Sequence, residues 1–192
     1  CQTKAFASHV EDSTFTCAEV QSATVTGFAS DITLRSVVDG KDAGAAEAEA
    51  SAFAAVQEAL ARMAKLESDT PLKLRDVTVV LLGHAAKNAG DTAKGRVLGI
   101  ATQYEGDCIL QLYPARIAEQ GADSLGMLQF TAAHELFHCV QFATWPELMA
   151  EYASNNWWVE GTAETVAQAV LPNVAPAFTE GHTFANHFRA TP

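Results

Sequence analysis

The chain of 192 residues has no run of roughly 18 apolar residues, the length that a transmembrane helix requires. Basic residues are also scarce, because 12 Lys and Arg stand against 23 Asp and Glu and give a net charge of −11. Such acidity disfavours nucleic acid or an anionic membrane surface as a partner. We therefore expect neither a transmembrane segment nor a nucleic-acid partner.

The four cysteines contain no CxxC motif, so neither a zinc ribbon nor a dithiol redox site is expected. Cys1, Cys17, Cys108 and Cys139 allow three complete pairings, and one or two disulfides would suit an exported protein. A lone buried thiol at Cys139 is equally natural. An N-terminal signal peptide is missing, and a chain that opens at a cysteine resembles a processed secretory protein or a cleaved lipoprotein. The expected location is secreted or cell-envelope, with Cys1 as a candidate lipid anchor, although an arbitrary chain boundary would look the same.

Apolar periodicity predicts an α+β fold in one domain over 1–192, with the sheet and a long helix in about 1–145 and a helical part in about 146–192. The short helical part is also what a piece of a longer protein would show. We predict one or two strands in 22–38 and further strands at 77–82, 97–104 and 108–113. Helices are predicted at 44–66, from Asp123 or Ser124 to about Thr144, after the capping box Thr144–Glu147, and at about 158–170, with a loop over 83–95.

The most informative motif is His134-Glu135-Leu-Phe-His138, an HExxH pattern inside a segment of helical periodicity. Residues four apart lie about 40° apart around an α-helix and one turn apart along it, so both imidazoles can reach one ion. Glu135 projects from a neighbouring edge, where it can act on a water without being a ligand. The motif predicts one Zn²⁺ per chain, and a catalytic zinc needs a third protein ligand besides the two histidines.

A second segment, Asn155-Asn-Trp-Trp-Val-Glu160-Gly-Thr-Ala-Glu164, offers candidates for that third ligand. Together with HELFH it resembles the gluzincin metallopeptidases, whose third ligand is a glutamate on the next helix. The setting W-x-x-E-G-x-A is like that of the M1-type aminopeptidases, and carried over by position it implies Glu160 as the third ligand. The likeness is specific over 131–164 and is absent as a sequence match elsewhere in the chain.

Two other zinc-peptidase patterns place the third ligand differently. The metzincin pattern needs a glycine and a third histidine where Gln141 and Thr144 stand, so it is rejected. The aspzincin setting G-T-x-D is close to Gly161–Glu164 with a longer acid, so Glu164 remains an alternative ligand. If Glu160 binds zinc, Glu164 is expected to hydrogen-bond a ligating histidine instead.

The resemblance implies a zincin-like fold, with a small mixed sheet whose edge strand lies over the HExxH helix. Helices that follow would carry the third ligand. By order along the chain, Asp107–Tyr113 corresponds to that edge strand, to which a substrate peptide would add as an extra strand. The implied activity is hydrolysis of peptide bonds in a peptide or protein substrate by a metal-activated water, with Glu135 as general base.

Groups that could stabilise the oxyanion are less evident, and the candidates are Tyr152, His182 and His187. Two other interpretations stay open. One is a zincin-like domain that binds a partner without catalysis, and the other is metal-dependent hydrolysis of a non-peptide amide. The sequence does not indicate an oligomeric state.

Overall fold

The computed structural model describes residues 16–40, 43–66, 71–82, 97–119 and 124–172. Within these ranges it confirms the α+β class. The helices there include none that is both long and apolar enough to cross a membrane. The elements are β1 (Cys17–Val25), β2 (Ile32–Asp39), α1 (Ala43–Met63), β3 (Val77–Leu81), β4 (Gly99–Tyr104), β5 (Asp107–Leu112), α2 (Pro114–Ala118), α3 (Ser124–Thr144), α4 (Pro146–Ala150) and α5 (Tyr152–Val170).

The strands form one mixed sheet in the order β1-β2-β3-β5-β4. The central strands β2, β3 and β5 are parallel, whereas β1 and β4 run antiparallel to their neighbours. Parallel neighbours need a crossover connection, and α1 lies in the chain between β2 and β3. The hairpin of β4 and β5 turns at Glu105 and Gly106, both of which have positive φ.

The prediction that Asp107–Tyr113 forms the edge strand is wrong. The strand in that segment, β5, pairs with β3 on one side and β4 on the other, so β4 is the edge strand. The physical reason is burial: Cys108–Leu112 is a continuous buried run, as a strand covered on both faces requires. By contrast, β4 carries Gln103 exposed and its other residues mostly half-buried.

The core lies between one face of the sheet and the helices. Along β3 and β5 every second residue faces this core, and α1 adds the stripe predicted from its spacing. The helix α3 contacts α1, α5, β4 and β5, so it lies at the centre of this layer. These core residues are Val77, Val79, Leu81, Cys108, Leu110 and Leu112 from the strands, with Phe53, Val56, Leu60 and Met63 from α1.

A disulfide between Cys108 and Cys139 joins β5 to α3. Cys108 is on the core face of its strand, and Cys139 directly follows His138 on the helix. The bond therefore ties the helix of the HExxH motif to the sheet beside its second histidine.

The helix of the HExxH motif spans Ser124–Thr144, which confirms its predicted extent. Two neighbouring predictions need correction. The helix α5 begins at Tyr152, six residues before the predicted start at 158. The capping box at Thr144 is not formed, because Thr144 is the last residue of α3 and Trp145 becomes the N-cap of α4, without a side-chain cap. The Thr144 hydroxyl instead accepts a hydrogen bond of 3.0 Å from the backbone N–H of Lys73.

Boundaries elsewhere differ from the predictions by a few residues. The predicted strand region 22–38 forms the two strands β1 and β2, and β1 begins five residues earlier, at Cys17. Five predictions fall outside the described residues: the loop over 83–95, the candidate cap Asp123, the anchor Cys1, and the histidines His182 and His187.

Candidate metal centre

Three predicted ligands from two helices come together above the middle of α3. His134 and His138 lie one turn apart on α3, with their Nε2 atoms 3.2 Å apart. The helix α5 packs against α3 and brings Glu160 to the same point. Its Oε2 lies 3.3 Å from Nε2 of His134 and 3.6 Å from Nε2 of His138.

These separations fit a single tetrahedral ion. Ligands about 2.0–2.1 Å from zinc at tetrahedral angles stand roughly 3.3–3.4 Å apart. The three observed distances, 3.2, 3.3 and 3.6 Å, lie close to that value. Two imidazole nitrogens and one carboxylate oxygen are also a donor set that zinc prefers, and it leaves a fourth position open. The residues present therefore fit a zinc ion.

The ring of His138 is fixed by a neutral hydrogen-bond network. Its Nδ1 donates to Oε1 of Gln141 at 2.7 Å, which leaves the Nε2 lone pair directed at the candidate ion. The Gln141 amide is oriented in turn, because its Nε2 donates to the carbonyl of Val159 at 2.9 Å and to Oγ1 of Thr162 at 2.7 Å. Gln141 is fully buried, so the network joins α3 to α5 directly behind the site.

His134 has acidic neighbours instead. Oε2 of Glu164 lies 3.7 Å from its Nδ1, and Oε2 of Glu160 lies near its Nε2. Burial disfavours the charged imidazolium and lowers its pKa, but hydrogen bonding to Glu160 and Glu164 outweighs burial and raises the pKa of His134 to about 10. In the metal-free protein this ring therefore holds a proton that a cation would have to displace.

Glu160 is itself held on its other oxygen. The hydroxyl of Tyr152 donates to Oε1 of Glu160 at 2.6 Å. Burial alone would raise the pKa of Glu160, but the hydrogen bonds from His134 and Tyr152 hold it far below its usual range. Burial and the nearby carboxylate raise the pKa of the Tyr152 hydroxyl above its usual value, so it stays a hydrogen-bond donor.

Glu135 lies directly under the edge strand. A methyl group in place of the hydrogen of Gly99 would stand 2.8 Å from Cγ of Glu135 and 2.9 Å from Cγ2 of Thr131, so β4 approaches this closely because residue 99 is glycine. The backbone N–H of Ala101 donates to the Glu135 carboxylate. Burial raises the pKa of Glu135, against the opposing effect of the two histidines, and this makes the carboxylate a better proton acceptor.

Two cavities open on either side of Glu135. The smaller has a volume of about 190 Å³ and runs along Thr131, His134 and Glu164. The larger, of about 550 Å³, runs along His138, Glu160 and Tyr152. Both have Leu98 and Gly99 in their walls, so the cleft continues along β4 past the candidate centre.

The structure thus brings most of the predicted site residues together. His134, His138 and Glu160 form the cluster, Glu135 lies beside it, and Tyr152 contacts Glu160. Glu164 is next to His134 Nδ1 and outside the cluster of ligand atoms.

The sequence did not indicate three further participants. Gln141 and Thr162 hold His138, and the backbone of β4 at Ala101 holds Glu135. A signal for Gln141 existed, since it stands one turn after His138 in a strongly apolar helix.

Comparison with known proteins adds no relative: no family profile, no curated protein and no solved structure matches this chain.

Proposed function

We propose that the protein is a zinc-dependent hydrolase of peptide bonds, of the gluzincin type that its HExxH and VEGTAE segments resemble. The observation that carries the proposal is the spacing of the three donor atoms. Nε2 of His134, Nε2 of His138 and Oε2 of Glu160 stand apart by distances suited to one tetrahedral zinc. A structural site would have no need of a carboxylate such as Glu135 beside an open position.

Zinc bound here would polarise the carbonyl of the bond to be cut and make a water acidic enough to attack it near neutral pH. Glu135 would receive the proton of that water and pass it to the amine that leaves. Two observations support this role. The raised pKa of Glu135 suits a proton acceptor, and the N–H of Ala101 holds the carboxylate beside the cluster.

Substrate binding along β4 is supported by the pairing pattern of that strand. The backbone carbonyl of Leu98, just before β4, accepts from the N–H of Tyr113, the residue that follows β5. Backbone groups alternate in direction along an antiparallel strand, so those of Gly99, Ala101 and Gln103 face away from β5. The N–H of Ala101 already donates to Glu135, and the other outward groups are the ones that a substrate could use. An extended peptide can add to such an edge by backbone hydrogen bonds.

Tyr152 is the candidate among the described residues for stabilising the oxyanion. Its hydroxyl lies 2.6 Å from Glu160 and lines the larger cavity, so a small rotation would let it donate to a substrate oxygen instead. His182 and His187, the other two candidates, lie outside the described residues.

The test is hydrolysis of a mixed peptide pool by zinc-loaded protein. Glu135→Gln should keep its zinc and its fold, while turnover falls by about 100-fold or more because the proton acceptor is gone. Glu147→Gln is the matched control, since it removes an exposed carboxylate on α4, and it should keep full activity. Hydrolysis that survives in Glu135→Gln would refute the assigned role.

The same experiment separates the alternatives. Zinc binding without any hydrolysis would favour a domain that binds a partner through this fold. Cleavage of small acylated amines, with peptides left intact, would favour a hydrolase of non-peptide amides.

A further inference from the structure

The larger cavity at the candidate metal centre has walls of two kinds. Every titratable side chain in its wall belongs to the centre or contacts it: Glu135, His138, Tyr152 and Glu160. The remaining residues of the wall are apolar and come from the segment leading into β4, from β4 itself and from two helices. The apolar residues of this wall are Val97, Leu98, Ile100, Ala101, Phe142 and Met149.

The two helix residues in this wall are turned toward the cavity by their positions. Phe142 stands one turn after His138 on the same face of α3, so its ring continues the line of the ligands. Met149 belongs to the short helix α4 and is half-buried, whereas its neighbour Leu148 is 37% exposed and lies outside the wall. Of these two adjacent apolar residues, only Met149 lines the cavity.

The smaller cavity differs in its chemistry. Besides Leu98 and Phe130 it contains Thr131 and the carboxylate of Glu164, so a polar or cationic group is acceptable there. Its volume of about 190 Å³ is also near a third of the larger cavity's 550 Å³. Pockets of about 300–1,000 Å³ with apolar walls and a few polar groups at one end are typical of ligand-binding sites. The larger cavity has this form.

We infer that the larger cavity is a specificity pocket, in which Phe142 and Met149 receive a bulky apolar side chain adjacent to the bond that is cut. The inference rests on the proposed function and deepens it by naming the substrate class: peptides with a large aliphatic or aromatic residue at the cleavage site. An apolar side chain loses no hydrogen bond to water when it packs against Phe142 and Met149, whereas a charged one would lose its hydration there without gaining a polar partner from these two residues.

Binding of two small metal chelators tests the pocket without requiring turnover. The probes are the hydroxamates of acetylphenylalanine and acetylglycine, which share the chelating group and differ in the side chain. Calorimetry on the zinc-loaded protein should show the phenylalanine compound binding at least about 10-fold more tightly. Equal affinity for the two compounds would overturn the inference.

Variants locate the effect on the proposed wall. Met149→Glu introduces a carboxylate into the cavity and should bring the affinity ratio of the two probes close to one. Leu148→Glu, the same change on the exposed neighbour, should leave the ratio unaltered. Phe142→Ala provides a second variant in case Met149→Glu does not fold, and it should lower the ratio by removing one wall. A ratio that stays at the wild-type value in folded Met149→Glu or Phe142→Ala would overturn the assignment of the wall.

Cleavage of the peptide pool by the same proteins keeps this inference distinct from the proposed function. If hydrolysis depends on Glu135 and the probes bind equally, the pocket inference fails alone. If the phenylalanine compound binds more tightly and no peptide is cut, the pocket still binds apolar side chains and only the proposed catalysis fails.

Discussion

The two histidines of the candidate centre are held in different ways, although they lie one turn apart on the same helix. His138 donates to the amide of Gln141, which is buried and fixed by neutral partners on α5. His134 is surrounded by the carboxylates of Glu160 and Glu164. The hydrogen bond to Gln141 fixes the tautomer of His138, whereas the two carboxylates keep the ring of His134 protonated.

One helix therefore presents an oriented lone pair on His138 and a protonated ring on His134 to the same candidate metal centre. On the His138 side the Nε2 lone pair is directed at the centre before any ion arrives, so little reorganisation is needed. On the His134 side the carboxylates give the metal-free site a net negative environment that attracts a cation and must exchange a proton for it.

The largest effect is expected from the two glutamates. Glu160→Ala leaves two ligands where three are required and should weaken zinc binding severely. Glu164→Ala leaves the ligand set intact and should cost about 10–100-fold, as partners of ligating histidines typically do. Competition with a fluorescent chelator would measure both affinities. A larger loss in Glu164→Ala than in Glu160→Ala would exchange their roles.

The next effect concerns stability on the His138 side. Replacing Cys108 and Cys139 together by serine removes a bond that closes a loop of 31 residues between β5 and α3. The free energy of unfolding should fall by about 2–5 kcal/mol. Denaturant titration of the metal-free proteins measures this directly. An unchanged midpoint would mean that the disulfide does not hold the helix to the sheet.

Loss of the neutral anchor should have a smaller effect. Gln141→Ala frees the ring of His138 and should weaken zinc binding by about 10–100-fold. Gln168→Ala is the matched control, because the Gln168 amide is exposed on α5 and donates to Oε1 of Glu164 instead. The control should differ little from the wild type in the same chelator competition. Equal losses in both variants would remove the distinction between the two sides.

The smallest effect, when it is counted for a single pH unit, is the pH dependence of zinc affinity. The pKa of His134 is raised to about 10 in the metal-free protein, so zinc must displace its proton at any lower pH. Affinity should therefore increase about 10-fold for each pH unit between roughly pH 7 and 9, and fall as the solution becomes more acidic. Glu164→Gln removes one of the carboxylates that raise this pKa and should flatten the slope. A zinc affinity that does not change with pH in the wild type would contradict the presence of a proton on His134 in the metal-free protein.

Local pattern was enough to predict the helix that carries the site. The long apolar period before Pro146 predicted α3 with its observed end at Thr144, and the four-residue spacing brought His134 and His138 to one face. The position of Glu160 came from a resemblance, and the packing of α5 on α3 brings it to the histidines.

What the sequence could not predict depends on contacts distant along the chain. Either arm of the β4–β5 hairpin could have been the inner strand by order, and burial against both sheet faces decided for β5. The closeness of β4 to Glu135 depends on Gly99, whose role is visible only when the strand lies on the helix. Gln141 likewise gains its meaning from Val159 and Thr162 on another helix.

Anomalous diffraction at the zinc edge, from crystals grown with zinc, tests the central claim most directly. We expect a single strong peak within about 2.0–2.2 Å of Nε2 of His134, Nε2 of His138 and a carboxylate oxygen of Glu160. Glu164 should remain beside His134 without touching the ion. A peak on Glu164 with Glu160 turned away, or no peak between the two histidines, would contradict it.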